Sequence, residues 1–148
     1  MRYLKILISF FVLLFLQGEI FSHLTYLGVA PDLFLVSVIV LALLEKDLKQ
    51  TIFYSAFAGF MQDLASAGGY LNVISKLVVG VLASEAGERY LGDEYSLAAG
   101  LVAVFTFFLC LLGFYKLAFG YGWIVVVIYN LLMVPIFWPI FKKIYGKD

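Results

Sequence analysis

Charge is scarce in this chain. Only 14% of its 148 residues are Asp, Glu, Lys or Arg, and the two signs cancel to a formal net charge of zero. A soluble domain keeps roughly a quarter of its residues charged so that its surface stays hydrated. Too little polar surface is present here to cover a globule in water. The zero balance also excludes a basic nucleic-acid footprint and a long acidic tail. Cysteine occurs once, as Cys110, and histidine once, as His23. An internal disulfide is impossible, and the usual Cys/His metal clusters cannot be assembled. No nucleophile–base pair, phosphate loop or metal motif stands out, and no cofactor is expected.

What the chain has in quantity is apolar side chain. Hydrophobic residues make up 64% of the sequence, and the mean hydropathy is +1.04. Lipid is therefore the expected solvent, and the fold class is an all-α membrane protein, a single transmembrane domain over 1–148. A bilayer core of about 30 Å takes about 20 apolar residues in a helix. Six segments meet or approach that length: Leu4 to Ile20, Leu27 to Leu44, Thr51 to Leu64, Leu71 to Ala86, Tyr95 to Tyr115 and Tyr121 to Phe141. The amino end, Met1-Arg2-Tyr3-Leu4-Lys5 before an apolar run, has the charge and length of a signal peptide. The small-residue cleavage pattern is missing after it, so it reads as an uncleaved first helix.

The middle segments are short or interrupted by polar residues, which keeps five spans open beside six. Charge favours six. With the N-terminus inside, the inner segments collect Arg2, Lys5, Lys46, Lys49, Arg89, Lys142, Lys143 and Lys147, whereas the outer loops hold only Lys116. That bias follows the positive-inside rule and puts both termini in the cytoplasm. Tyr90, Tyr95, Tyr115, Tyr121, Trp123, Trp138 and Tyr145 fall near expected helix ends, where aromatic residues sit at membrane interfaces.

Three ionisable residues lie in or beside spanning segments: Asp32, Asp63 and Lys76. Such residues are costly in lipid and face protein or water. Asp32 follows Pro31 at a helix start, where proline loses no hydrogen bond and a carboxylate meets the positive end of the dipole. It reads as a helix start or as a marker at the outer mouth of a cavity. Asp63 falls at a helix C-terminus, opposes the dipole there and needs a donor or cation. Lys76 is the nearest cation, so an Asp63–Lys76 pair is one expectation, and a lysine snorkelling alone to the headgroups is the other. Asn72, Lys76, Gly80 and Ser84 follow at i+4, beside Ala83 and Gly87, and Ser55 and Gly59 share that spacing on the preceding helix. Small residues let helix backbones approach closely in membranes, so this stripe reads first as internal packing. Asn130, followed by Pro135 and Pro139, is expected to hydrogen-bond across helices and kink the last one. Thr106 and Cys110 share a face, and Cys110 reads as a small core residue. His23 reads as a surface or interface residue of the first outer loop.

Two stretches resemble a known family. Pro31-Asp32-Leu33 opens an aliphatic helix, and Gly59-Phe60-Met61-Gln62-Asp63-Leu64-Ala65-Ser66 leads to Gly69-Tyr70-Leu71-Asn72 and then Gly80. In order and spacing these resemble the rod shape-determining protein MreD, with the motifs confined to about residues 31–80 and size and charge pattern agreeing over nearly the whole chain. Lys76 departs from the pattern, since an apolar or small residue is expected there in much of the family. The resemblance implies a non-enzymatic subunit of the bacterial cell-elongation complex, multi-pass in the inner membrane. It implies binding to MreC and, through it, to MreB, RodA and a class B penicillin-binding protein. It also implies a fold similar to the S components of energy-coupling-factor transporters, which leaves a vitamin-binding S component as the alternative function. A membrane enzyme or ion-coupled carrier ranks last, because acid, base and nucleophile groups are nearly absent and no repeated halves are visible. Monomer and homo-oligomer both stay open.

Overall fold

The computed structural model describes residues 2–20, 23, 29–66, 69–115 and 121–145. Lys116, Lys147, Gly68 and the expected start of the second helix at Leu27 lie outside the described residues. Among the described residues the fold is all-helical, with six α-helices: α1 (Arg2–Phe15), α2 (Leu33–Glu45), α3 (Leu48–Ser66), α4 (Leu71–Arg89), α5 (Glu94–Leu111) and α6 (Gly122–Tyr145). A π-helical turn, Leu16–Ile20, continues α1.

Helix α2 is the axis of the bundle. All 13 of its residues are buried. Its sequence is apolar on nearly every side, so each of its faces can pack against a neighbour. It packs against each of the other five helices. The helices of the surrounding ring are less evenly joined. α3 and α4 form one closely packed hairpin and α5 and α6 another, while α4 and α5 make only slight contact. On the other side Ser9 of α1 shares a hydrogen bond of 2.7 Å with the Tyr145 hydroxyl of α6. Phe10, fully buried, anchors α1 by stacking near Phe34 of α2 and edge-on to Phe57 of α3.

Local chemistry sets the helix ends. The Asp32 carboxylate accepts the Leu35 N–H at 2.9 Å and starts α2, six residues later than the hydropathy run begins, because Pro31 and its cap stop the helix from extending backward. Lys46 ends α2 in the left-handed region at φ 52°. Asp47 then accepts the Lys49 and Gln50 amides and opens α3 after a two-residue corner. Asp93 caps α5 by accepting the hydroxyl and amide of Ser96, and those bonds hold its carboxyl below the usual carboxylate range. α6 runs unbroken through Pro135 and Pro139.

Polarity is distributed the wrong way round for water. Asp32, Glu45, Asp63, Lys76, Thr106 and Asn130 are buried. Large apolar side chains face outward in rows, Ile128, Leu132, Ile136 and Ile140 on α6 and Leu71, Ile74, Val78 and Leu82 on α4. Among the described residues two helices, α5 and α6, are long and apolar enough to cross a membrane, and α2 is a shorter apolar helix.

Candidate functional site: a buried polar hub and the cavity beside it

The charged centre forms where α2 begins. Asp32 is 3% exposed, and its Oδ2 accepts the Lys76 ammonium of α4 at 2.8 Å and the Tyr115 hydroxyl at 3.0 Å. Its Oδ1 accepts a longer bond of 3.4 Å from the Gln62 amide of α3, besides the cap to Leu35. The Asp32 N–H donates to Asn130 Oδ1 on α6 at 2.7 Å, and Asn130 Nδ2 donates on to Thr106 of α5 at 3.0 Å. Gln17, on the π-helical turn after α1, completes the circle: it donates to the Pro31 carbonyl at 2.7 Å and accepts the Leu33 N–H at 2.8 Å. Side chains from all five surrounding helices and their adjoining turns therefore converge on three consecutive residues. A buried carboxylate survives desolvation only with such a partner set.

This geometry corrects one sequence expectation. Lys76 pairs with Asp32 rather than with Asp63, and at 1% exposed it does not snorkel to a surface. Asp63 finds its compensation elsewhere. Its Oδ1 accepts the Asn72 N–H at 3.1 Å and the Asn72 Nδ2 at 2.9 Å, and its Oδ2 accepts the Val73 N–H at 3.0 Å. A carboxylate at the unfavourable end of α3 thus sits on the favourable end of α4, satisfying amides that Tyr70 does not cap.

The small residues serve the same hairpin. A Cβ on Gly59 would collide with the backbone of Asn72 and Val73, and one on Gly80 would collide with the Ser55 hydroxyl. Backbone contact of α3 with α4 brings Asp63 within reach of the α4 amides. Gly69, at φ 72°, supplies the turn between them. Of the sequence-selected residues, Asp32 and Lys76 belong to the hub, and Asp63, Asn72, Gly59 and Gly80 belong to the hairpin. Pro31 contributes its carbonyl to Gln17.

A cavity of about 420 Å³ opens beside the hub, lined by Asp32, Gln62, Ser66, Asn72, Lys76 and Tyr115 on its polar side and by Leu71, Leu109, Leu112 and Phe114 on its apolar side. Asp63 does not line it. Sequence reading passed over Gln17 entirely and took Gln62 as a motif letter and Tyr115 as an interface aromatic. Polar amides in apolar helices were the available signal. Cys110 is half-buried, and His23 is exposed. No protein-family model, curated protein or solved structure matches the chain.

Proposed function

We propose that the chain is a six-span protein of the bacterial cytoplasmic membrane, both termini inside. In this reading it acts as a non-enzymatic, MreD-like subunit of the cell-elongation complex. The observation that carries the membrane reading is the inverted polarity: a charged hub inside, rows of leucine and isoleucine outside. Soluble monomers rarely expose apolar area on that scale. The up-and-down order of the helices gathers Lys5, Lys46, Lys49, Arg89, Lys142 and Lys143 at one end of the bundle, the end opposite the hub. That end is the cytoplasmic one by the positive-inside rule.

Support for the MreD-like role comes from the resemblance, whose residues from Pro31 to Gly80 build one hub and one hairpin. A scaffold subunit needs outward apolar surface for a partner helix and no reactive centre. The α1 row Leu4, Ile8, Phe11 and Phe15 offers such a face, exposed along its length. The partner in this proposal is the single span of MreC, with MreB, RodA and the penicillin-binding protein reached through it. A photo-crosslinker at Ile8 should capture MreC in living cells. A tagged chain that leaves all MreC behind in a pull-down sinks the proposal.

The cavity supports a second reading, a vitamin-binding S component, because it supplies convergent polar groups near the outer face. A vitamin retained through purification, with genes for transporter ATPases alongside, would favour it.

A further inference from the structure

The polar cavity does not stand alone. A second hollow of about 430 Å³ lies in the seam between α4 and α5, walled by Ile74, Val78, Leu82, Phe105 and Phe108. Leu71, Leu109, Leu112 and Phe114 line both, so the two adjoin. One part is polar and sits at the hub end. The other is apolar, open along the flank and closed at neither helix, because α4 and α5 hardly touch. From Leu71 to Leu82 the α4 wall extends roughly 16 Å at the helical rise. That matches one leaflet, about half of a 30 Å hydrocarbon core.

The polar end states what it would hold. Gln62 Oε1 is a buried acceptor with no partner among the described residues. Such an atom calls for an N–H or O–H donor. Lys76 faces the cavity and has three N–H bonds, of which Asp32 takes one. It calls for an acceptor. The Asp32–Lys76 pair is neutral as a unit, so an occupant with no net charge leaves that balance undisturbed. A zwitterion does so and supplies both the donor and the acceptor.

We propose that this seam binds a phospholipid of the outer leaflet with a primary-ammonium headgroup, as in phosphatidylethanolamine. The ammonium donates to Gln62 Oε1, the phosphate accepts from Lys76, and one acyl chain lies between α4 and α5. The site rests on the membrane reading of the bundle but not on any protein partner.

Native mass spectrometry of the purified chain in detergent, with phosphatidylethanolamine, phosphatidylcholine and phosphatidylglycerol supplied equally, tests it. Phosphatidylethanolamine adducts should exceed phosphatidylcholine adducts by about tenfold, because the trimethylated ammonium has no N–H for the buried acceptor. Gln62→Leu should erase that preference. Leu112→Trp, at an exposed position shared by both hollows, should displace both lipids while leaving the fold intact. Equal retention of the two lipids, phosphatidylglycerol outcompeting both, or adducts indifferent to Leu112→Trp would overturn the proposal. Alkaline carbonate washing of membranes separates the failures. A chain released by carbonate loses the membrane reading itself, whereas a chain that stays but shows no headgroup preference loses only the lipid site.

Discussion

Asp32 works as cap, counter-ion and backbone anchor together. Its carboxylate accepts from Leu35, Lys76, Tyr115 and Gln62, and its amide donates to Asn130. Removing one partner of a buried pair leaves the other charge unmatched, at a cost of about 3–5 kcal/mol. Lys76→Met should lower the unfolding temperature sharply. Asp32→Asn in the same chain should recover part of the loss, since Asn still caps the helix and carries no orphaned charge. Thermal unfolding of the four chains in detergent measures the coupling, and strictly additive losses would refute it. Sequence singled out both members of this pair but offered Lys76 either Asp63 or the headgroups, and neither is its partner. Asp63 lies closer along the chain, whereas Asp32 reaches Lys76 only because α2 packs on α4, a tertiary fact that linear spacing does not encode. The need of Asp63 for compensation was legible from the dipole. That amides rather than a cation would supply it was not, because the answer depended on how near two backbones come.

At the scale of elements, the α3–α4 hairpin shows how close approach and capping depend on each other. Asp63→Ala removes the cap of α4, and a loss of about 1–2 kcal/mol is expected, as for other helix caps. Gly59→Ala should cost about 1–3 kcal/mol, because the new methyl meets backbone that cannot rotate aside. Gly80→Ala meets a serine hydroxyl instead, so its loss should be smaller than that of Gly59→Ala, and unfolding midpoints of the three variants order them. A larger effect at Gly80 would contradict this account. The i+4 spacing of small residues made this packing readable in advance. Helix starts were readable at Leu71 and beside Tyr121, whereas that of α2 was expected at Leu27, ahead of the Pro31–Asp32 stop that sets it; other helix ends depended on more than hydropathy. Ends were misjudged at the α2–α3 corner and at the close of α4, where the helices run past the apolar segments into charged residues such as Glu45 and Arg89.

At the scale of the whole molecule, five helices close around a sixth. On the proposed topology the hub faces the outside and the basic end the cytoplasm. In a Cys110→Ser background, Tyr70→Cys should react with a membrane-impermeant thiol reagent in intact cells, and Leu91→Cys only after permeabilisation; both positions are exposed. Labelling of both from one side would exclude the up-and-down crossing of α4. Composition and charge made the helical class legible, but neither indicates which helix is central, because α2 differs from its neighbours mainly in lacking a polar face. That central position has a consequence for how the protein is made. The helix destined for the interior leaves the ribosome second, before the α3–α6 wall that will enclose it. Asp32 is synthesised 44 residues ahead of Lys76 and 98 ahead of Asn130. Between the synthesis of Asp32 and that of Lys76 the nascent chain therefore holds an acid whose counter-ion does not yet exist, and the carboxylate gains its cation only once α4 has been made.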